Sequence, residues 1–121
     1  MPPGIVLFTI SLAISGCDKA PTPPAGLLES RQAQQAGGVI FAANCAICHG
    51  ASGDGHGQRR AGMDPPPANL TLPPWSEAAA AGKTFLAIRS GVPRTAMPAW
   101  TNLSDVQVWD VVAHIISLKG S

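Results

Sequence analysis

The sequence predicts an all-α domain, and two observations support this fold class. Apolar residues recur at helical spacing in separate segments of the chain after residue 28. No segment shows the alternation of apolar and polar residues, rich in β-branched and aromatic side chains, that is typical of a strand. We therefore expect three to four helices, joined by loops in which glycine and proline are frequent.

The first helix is predicted over roughly Glu29 to Cys48. Its apolar residues recur at intervals of three or four positions: Ala33, Ala36, Ile40 and Ala43. Gly37 and Gly38 lie inside this pattern, and each costs the helix about 1 kcal/mol of stability. Glycines at this place predict either that another helix crosses closely or that the helix end is weak.

The middle of the chain is predicted to be mostly loop. Residues 50–74 are rich in glycine and proline, which interrupt regular structure. Thr84 to Ser90 is predicted to be a short helix that ends at Gly91. Ser76 to Ala81 is either a separate helical turn or part of the same helix, joined across Gly82.

The last helix has the clearest boundaries. Ser104 and Gln107 have the spacing of a capping box, in which each side chain accepts a hydrogen bond from the other residue's backbone. The residues that follow form an apolar stripe: Val108, Val111, Val112 and Ile115. Gly120 is typical of a helix C-terminus, so we expect the helix to end close to it.

A cysteine motif lies at the end of the first helix, in Cys45-Ala46-Ile47-Cys48-His49. The pattern C-x-x-C-H is the attachment motif of a c-type haem. Because residues three apart share one face of a helix, both thiols can reach the two vinyl groups of one haem. His49 can then offer a ring nitrogen to the iron as an axial ligand. The motif predicts one covalently bound haem c.

Two other interpretations of the cysteine pair stay open at this point. A structural zinc ion needs four ligands, and the remaining cysteine, Cys17, lies in a segment of different composition. His56 and His114 do not follow zinc-finger spacing. A redox-active dithiol usually accompanies a βαβ pattern, and the sequence predicts none.

A second axial ligand is predicted at Met97. A thioether is a soft ligand that favours ferrous iron and raises the reduction potential. Met97 lies 48 residues after His49, whereas Met63 lies only 14 residues after His49. The longer separation lets the chain wrap to the opposite haem face. Pro98 disfavours helix at Met97, which helps a loop project the side chain inward.

The N-terminal residues 1–16 are predicted to be a lipoprotein-type signal peptide. Ile5 to Ile14 is an apolar run too short to span a bilayer and typical of a signal-peptide core. Gly16 directly precedes Cys17, which resembles a bacterial lipobox and implies cleavage before Cys17 and its lipidation. We expect an exported protein, anchored by lipid on the periplasmic side of the inner membrane. The alternative is ordinary cleavage nearby, which gives a soluble periplasmic protein.

Residues 17–35 are predicted to be a proline-rich tether between the lipid anchor and a domain of residues 36–121. Ala20 to Gly26 contains three prolines, so this stretch should be extended and semi-rigid. Such a tether would lift the domain away from the membrane surface.

Charge and size restrict the classes of partner and of fold. Eight Lys and Arg residues against seven Asp and Glu residues give a formal charge of +1, and aromatic residues make up 5%. There is no basic stripe, so nucleic acid is not expected as a partner. The domain is small for an independent core, and a buried haem would supply the missing apolar mass.

Several stretches together resemble one known family. They are Gly37 and Phe41 ahead of Cys45-x-x-Cys48-His49-Gly50, the Pro65-Pro66-Pro67-Ala68-Asn69-Leu70 loop, Ile88-Arg89-Ser90-Gly91, Met97-Pro98-Ala99-Trp100 and the final helix with Trp109. They make Gln35 to Gly120 similar to a class I cytochrome c of the small bacterial monohaem kind. The resemblance implies the cytochrome c fold, with the helices wrapped around one haem.

The resemblance also assigns residues around the haem. It implies that the first and last helices cross with Gly37 near His114, a position at which relatives usually have an aromatic residue. Phe41 lies four residues before Cys45, so its position on the helix also predicts that it walls one side of the haem. A carbonyl of the proline loop, assigned to Pro66, accepts the second His49 ring N–H. Arg89 either pairs with a haem propionate or is a solvated helix charge. Arg94 stands where relatives often have glycine.

Electron transfer is the predicted function. With both axial positions filled, the iron has no place for a small-molecule substrate, so we expect an electron carrier and not an enzyme. The expected partners are redox proteins: an oxidase, a dehydrogenase or another cytochrome. One alternative is a haem subunit docked permanently on an oxidase or dehydrogenase. The other is a haem enzyme or sensor with an open iron position.

Overall fold

The computed structural model describes residues 1–10 and 19–120. Its elements in chain order are α1 (Arg31–Asn44), α2 (Ala46–His49), a 3₁₀ turn at Gln58–Arg60, a second 3₁₀ turn at Ala78–Ala80, α3 (Ala81–Ser90) and α4 (Asp105–Ser117). Within those residues there is no strand. The all-α fold class predicted from the sequence is confirmed.

The α1 and α4 helices cross in close contact. Gly37 lies against the backbone of α4, where a Cβ atom would overlap the carbonyl oxygen of Asp110. The glycines inside the first helix therefore mark a crossing and not a helix end. The His114 ring lies next to Gly38 and packs at a tilt of 49° against Phe41, with ring centroids 4.9 Å apart. The predicted crossing of the first and last helices is thus present, with Asp110 the nearest α4 residue to Gly37 and His114 next to Gly38.

The first helix is shorter than predicted and is interrupted at Cys45. The Ser30 hydroxyl accepts a hydrogen bond from the Ala33 N–H at 3.2 Å, so α1 begins at Arg31. At its other end α1 stops at Asn44, and the chain turns at Cys45 before α2 continues to His49. The Cys45 N–H still donates to the Phe41 carbonyl at 2.8 Å, so the cysteine motif stays attached to α1.

The observed bounds of the later helices agree more closely with those predicted from the sequence. In α4 the capping box is present, because the Ser104 and Gln107 side chains accept backbone N–H bonds at 3.1 and 2.9 Å. The α3 helix begins at Ala81, three residues before the predicted start, and the second 3₁₀ turn leads directly into it. Gly82 lies in the first turn of α3, and a neighbouring segment packs closely against it.

That neighbouring segment is the proline-rich stretch. A Cβ atom at Gly82 would overlap the carbonyl oxygen of Pro21. Leu27 and Leu28 pack against the core, and the Gln34 side chain donates to the Leu28 carbonyl at 2.8 Å. Residues 20–35 of the predicted 17–35 tether therefore differ from the prediction, because Pro21, Leu27 and Leu28 pack on the domain and α1 begins at Arg31.

Residues 1–10 are exposed and contain no helix, and Cys17 lies outside the described residues. None of the helices in the ranges 1–10 and 19–120 has the length and hydropathy needed to cross a bilayer.

The hydrophobic core lies between α1, α3 and α4. Val108, Val111 and Val112 of the predicted stripe have no solvent exposure. Phe85 of α3 packs on Trp109 of α4, with ring centroids 4.4 Å apart. This core forms one side of a large cavity, and residues of the cysteine motif line the same cavity.

Candidate functional site

A cavity of about 440 Å³ lies between the helices and two loops. Its volume is in the range of small-molecule and cofactor sites. Phe41 and Val111 form part of its floor, and apolar side chains supply most of its lining. Four residues predicted from the sequence line this single cavity: Cys45, Cys48, His49 and Met97.

The two thiols lie on one wall of the cavity. Cys45 and Cys48 are both half-buried and form no disulfide. Burial raises the pKa of the Cys45 thiol to about 11, and the neighbouring Cys48 adds to the shift. Cys45 is therefore protonated at neutral pH in the free protein, as expected of a thiol in an apolar wall.

The His49 ring is oriented by a backbone carbonyl. Its Nδ1–H donates to the carbonyl oxygen of Ala68 at 3.1 Å, which leaves Nε2 available to a metal. Burial lowers the pKa of His49, so the neutral imidazole that can bind a metal is favoured. The ring is thus held in one tautomer and one orientation.

The carbonyl acceptor differs from the prediction. It belongs to Ala68 and not to Pro66, although both residues line the cavity. The Leu70 N–H donates to the Gly53 carbonyl at 2.7 Å and fixes the end of the proline loop. The carbonyls of Pro67 and Ala68 consequently lie against Gly55, beside His49. This bond cannot be found from spacing, because it depends on how two loops meet.

Glycines build the loop that follows His49. Gly50 and Gly55 have φ angles of 83° and 87°, in the left-handed region that favours glycine. The Gly55 N–H donates to the His49 carbonyl at 2.7 Å, and the Gly57 N–H donates to the Cys48 carbonyl at 3.0 Å. These bonds satisfy carbonyls that the end of α2 leaves without a helical partner.

Met97 is presented by a short loop between α3 and α4. Its N–H donates to the Thr95 hydroxyl at 3.1 Å, and the same hydroxyl donates to the Val92 carbonyl at 2.8 Å. The Val92 N–H donates to the Met97 carbonyl at 3.2 Å, which closes the loop. Arg94 has a φ of 61°, so the position at which relatives often have glycine does require left-handed backbone.

Arg89 has a different role from the one predicted. Its guanidinium donates to the Trp100 and Leu103 carbonyls at 2.8 and 2.7 Å and pairs with Asp105 at 2.6 Å. It does not line the cavity. The structure therefore differs from the predicted placement of Arg89 in the cavity, and its bound guanidinium is not a solvated helix charge either. Arg89 ties the loop after Met97 to the start of α4.

Other lining residues were not assigned from the sequence. Some lie in helices or a 3₁₀ turn, such as Asn44, Arg59 and Thr84, and others lie in loops, such as Trp75, Trp100 and Met63, the methionine not predicted to be a ligand. Residues in loops follow no helical period, and polar residues such as Asn44 and Thr84 do not belong to an apolar stripe, so periodicity could not find either group. Trp100 did carry a signal, because it belongs to the Met97-Pro98-Ala99-Trp100 stretch.

The zinc interpretation lacks ligands in this fold. Among residues 1–10 and 19–120, no three His, Cys, Asp or Glu side chains lie close enough together to hold a metal ion. A structural zinc site needs four such ligands. By contrast, an apolar cavity with two thiols, an oriented imidazole and a thioether fits an iron porphyrin.

Comparison with known proteins agrees with this donor set. The family described as cytochrome c oxidase, cbb3-type, subunit III, matches residues 32–115. The chain belongs to this family. It is therefore a c-type cytochrome domain, its cofactor is haem c, and its chemistry is haem-based electron transfer.

A solved structure supports the same fold. A chain of the Kuenenia stuttgartiensis reducing HAO-like protein complex matches with a TM-score of 0.69 and 23% identity. The match covers 84% of this cytochrome and 49% of that chain, so this protein spans about half the length of its structural relative. No curated protein matches the sequence.

Proposed function

We propose that this cytochrome carries single electrons between redox proteins by means of one haem c with His49 and Met97 as axial ligands. The observation that supports this most strongly is that Cys45, Cys48, His49 and Met97 line the same cavity. His49 and Met97 belong to separate parts of the chain, and only the fold brings them to one site.

Cys45 and Cys48 are proposed to hold the haem covalently. Each thiol would add across one vinyl group, so that sulfur and hydrogen end on the two vinyl carbons and nothing leaves. The turn at Cys45 keeps both residues on the same cavity wall. His49 follows on α2 with Nε2 available, because its Nδ1–H is bound to Ala68.

Met97 is proposed to bind on the opposite side. When bound, the haem iron supplies one-electron chemistry between the ferrous and ferric states. As a ligand, the Met97 thioether would favour the ferrous state, and together with His49 it would leave no iron position for a substrate. We therefore propose an electron carrier and not an open-site enzyme or sensor.

Export and anchoring are part of the proposal. Lipidation of Cys17 would hold the domain on the periplasmic side of the inner membrane, where its partners would be membrane redox complexes. The short apolar run before Gly16 and Cys17 supports this placement. If ordinary cleavage occurs instead, the same domain would be soluble in the periplasm. Mass spectrometry of the N-terminal peptide separates the two.

A second candidate is a haem subunit docked permanently on a larger complex. The family description, which names an oxidase subunit, supports this candidate. The two candidate functions predict different behaviour when the protein is extracted from the membrane with detergent. A carrier should elute alone after mild detergent extraction, whereas a docked subunit should elute with its complex.

The ligand assignment is tested by replacing each cavity methionine separately. In Met97→Ala we expect loss of the iron–sulfur absorption band and a lower reduction potential, with the haem still attached. Met63→Leu is the matched control, because Met63 lines the same cavity and is not proposed to bind iron. An unchanged spectrum in Met97→Ala, or loss of the band in Met63→Leu, would overturn the assignment.

A further inference from the structure

The proline-rich stretch contacts the domain only a few residues after Cys17. A Cβ atom at Gly82 would lie 3.0 Å from the Cβ atom of Ala20 and would overlap the carbonyl oxygen of Pro21. Two segments come this close only when they are packed together. The packed segment of residues 20–28, which we call the strap, therefore begins at Ala20 on the surface of α3.

A very short piece of chain separates the strap from the proposed lipid anchor. Residues 18 and 19 are the two residues between Cys17 and Ala20. Consecutive Cα atoms are about 3.8 Å apart, so the Cα atom of Cys17 lies within about 11 Å of that of Ala20, whatever path the chain takes. An acylated Cys17 lies in the headgroup layer, which is about 5–7 Å thick on each side of a bilayer. Ala20 and the start of α3 must then lie at the membrane surface.

The exposed side of α3 continues the surface at which the strap begins. Lys83 and Leu86 are three positions apart on this helix, and both are exposed, Leu86 to 40%. Residues four apart share a helix face, so Leu86 lies one turn beyond Gly82, the residue that the strap contacts. We call the surface formed by Ala20, Lys83 and Leu86 the strap face.

The strap face has side chains that suit a membrane surface. The Lys83 ammonium lies over the Trp75 ring, 5.2 Å from its centroid. Lysine and tryptophan are typical of the bilayer interface, and an exposed leucine adds apolar area that can be buried there. The α3 helix contains no acidic residue, and Glu77, the acid that precedes it most closely in sequence, pairs with Lys119 at 3.1 Å. The charge of Lys83 is therefore complementary to anionic lipid headgroups.

The cavity lies on the other side of α3. Thr84 and Ile88 line the cavity, and each is two positions from Leu86. Residues two apart do not share a helix face. The helix therefore lies between the strap face and the cavity, and separates them by about one helix diameter, roughly 10 Å.

We propose that the strap face lies against the phospholipid bilayer in which acylated Cys17 is inserted. The proposal rests on the lipid anchor proposed above and specifies the surface that the anchor brings to the membrane. The domain is then held in one orientation and is not lifted away on a tether. The haem lies at a fixed height, with α3 between it and the headgroups.

Thiol labelling measures which surface the bilayer covers. Leu86→Cys places a thiol on the strap face, and Val39→Cys is the matched control, because Val39 is an apolar residue of α1 that is 73% exposed. With Cys17 acylated and the two motif cysteines joined to haem, the introduced thiol is the only free one.

The acylated holoprotein is added to vesicles of phosphatidylethanolamine and phosphatidylglycerol. The labelling reagent is a maleimide on polyethylene glycol, which is uncharged and does not enter the bilayer. Mass spectrometry of samples taken over time gives the labelling rate.

A longer connection to the anchor supplies the comparison. A flexible Gly-Ser insertion of about ten residues between Lys19 and Ala20 adds a reach of about 17 Å and leaves the strap intact. We expect this insertion to raise the labelling rate of Leu86→Cys several-fold, because the strap face can then leave the bilayer. The labelling rate of Val39→Cys should not change.

The outcomes separate this proposal from the anchor and from the carrier function. If the insertion changes neither labelling rate, or raises both equally, the bilayer does not cover the strap face and the proposal is wrong. The protein mass reports acylation, and its absence would contradict the anchor together with the strap face. The visible spectrum of the same samples tests the carrier function. An acylated protein that keeps the iron–sulfur band but is not protected at position 86 would contradict the strap face alone.

Discussion

The two walls of the haem cavity are built in different ways. The His49 wall continues from α1, which crosses α4, and two loops add hydrogen bonds to it from Gly55, Gly57 and Ala68. The Met97 wall is one short loop whose hydrogen bonds mostly close on itself, through Thr95. Met97 also packs against the core, but the hydrogen bonds between Val92 and Met97 close within the loop and do not run to another element.

This difference predicts different stabilities for the two sides. A segment whose bonds run to the core opens only when the domain unfolds, whereas a self-contained loop can open alone. The Met97 loop also contains Arg94 in left-handed backbone, which costs a non-glycine residue about 1 kcal/mol. We therefore expect the thioether to leave the iron before the imidazole does.

The largest effect should follow from breaking the helix crossing behind the His49 wall. In Gly37→Ala the new methyl group would overlap the Asp110 carbonyl, so α1 and α4 must separate. We expect the free energy of unfolding of the holoprotein to fall by about 3 kcal/mol, as measured by denaturant titration.

The neighbouring glycine supplies the control for this prediction. In Gly38→Ala the methyl group would lie 3.1 Å from His114 Nδ1, and a side chain can move away. Alanine also favours the helix, so the net change should stay within about 1 kcal/mol. If the free energy of unfolding fell by the same amount in Gly37→Ala and Gly38→Ala, the helix crossing at Gly37 would not be what supports the His49 wall.

A smaller effect should follow from loosening the Met97 wall. Thr95→Val removes the hydroxyl that bonds Val92 and Met97, at a cost to the closed loop of about 1–2 kcal/mol. The iron–sulfur band should disappear at lower denaturant, while the midpoint of the helical circular-dichroism signal stays unchanged. Thr95→Ser keeps the hydroxyl and should behave as wild type. A parallel shift of both signals in Thr95→Val would mean that the two walls unfold together.

The smallest effect should be a pH dependence of the free energy of unfolding that arises at His114, in α4. Burial lowers the pKa of His114, so the folded protein binds this proton less readily than the unfolded chain does. The contribution of neutral His114 to the free energy of unfolding is therefore fully present above the usual pKa of 6.5. It is lost as the pH falls from 6.5 towards the lowered pKa of the folded protein.

His114→Phe isolates this contribution because it keeps a ring against Phe41 and removes the titrating group. The difference in free energy of unfolding between wild type and variant should change between pH 6.5 and the lowered pKa. Below pH 6.5 the wild type should lose stability relative to the variant. A constant difference across this range would exclude His114 as the titrating group.

The parts of the fold that sequence predicted well depend on local rules. The capping box at Ser104, the apolar stripe of α4 and the cysteine motif each involve residues within a few positions of one another. Such patterns are visible in one sequence because the backbone geometry of a helix determines which residues meet. The interruption at Cys45 was not visible, since nothing in the composition marks a turn there.

The errors concern contacts between distant segments. The acceptor for His49 is Ala68 because the Gly53–Leu70 bond sets the loop, and Arg89 is bound by carbonyls eleven and fourteen residues away. The proline-rich stretch packs on Gly82, although its composition is typical of a free linker. The composition of a segment indicates only the conformation that it favours in isolation. In these three cases contacts with distant parts of the chain determined the structure instead.

The intact mass and visible spectrum of the exported, purified protein test the central claim most directly. We predict a red protein heavier than its processed polypeptide by one haem, which stays attached on denaturation through Cys45 and Cys48. A colourless protein with the mass of its polypeptide and any acyl chains alone would contradict the account.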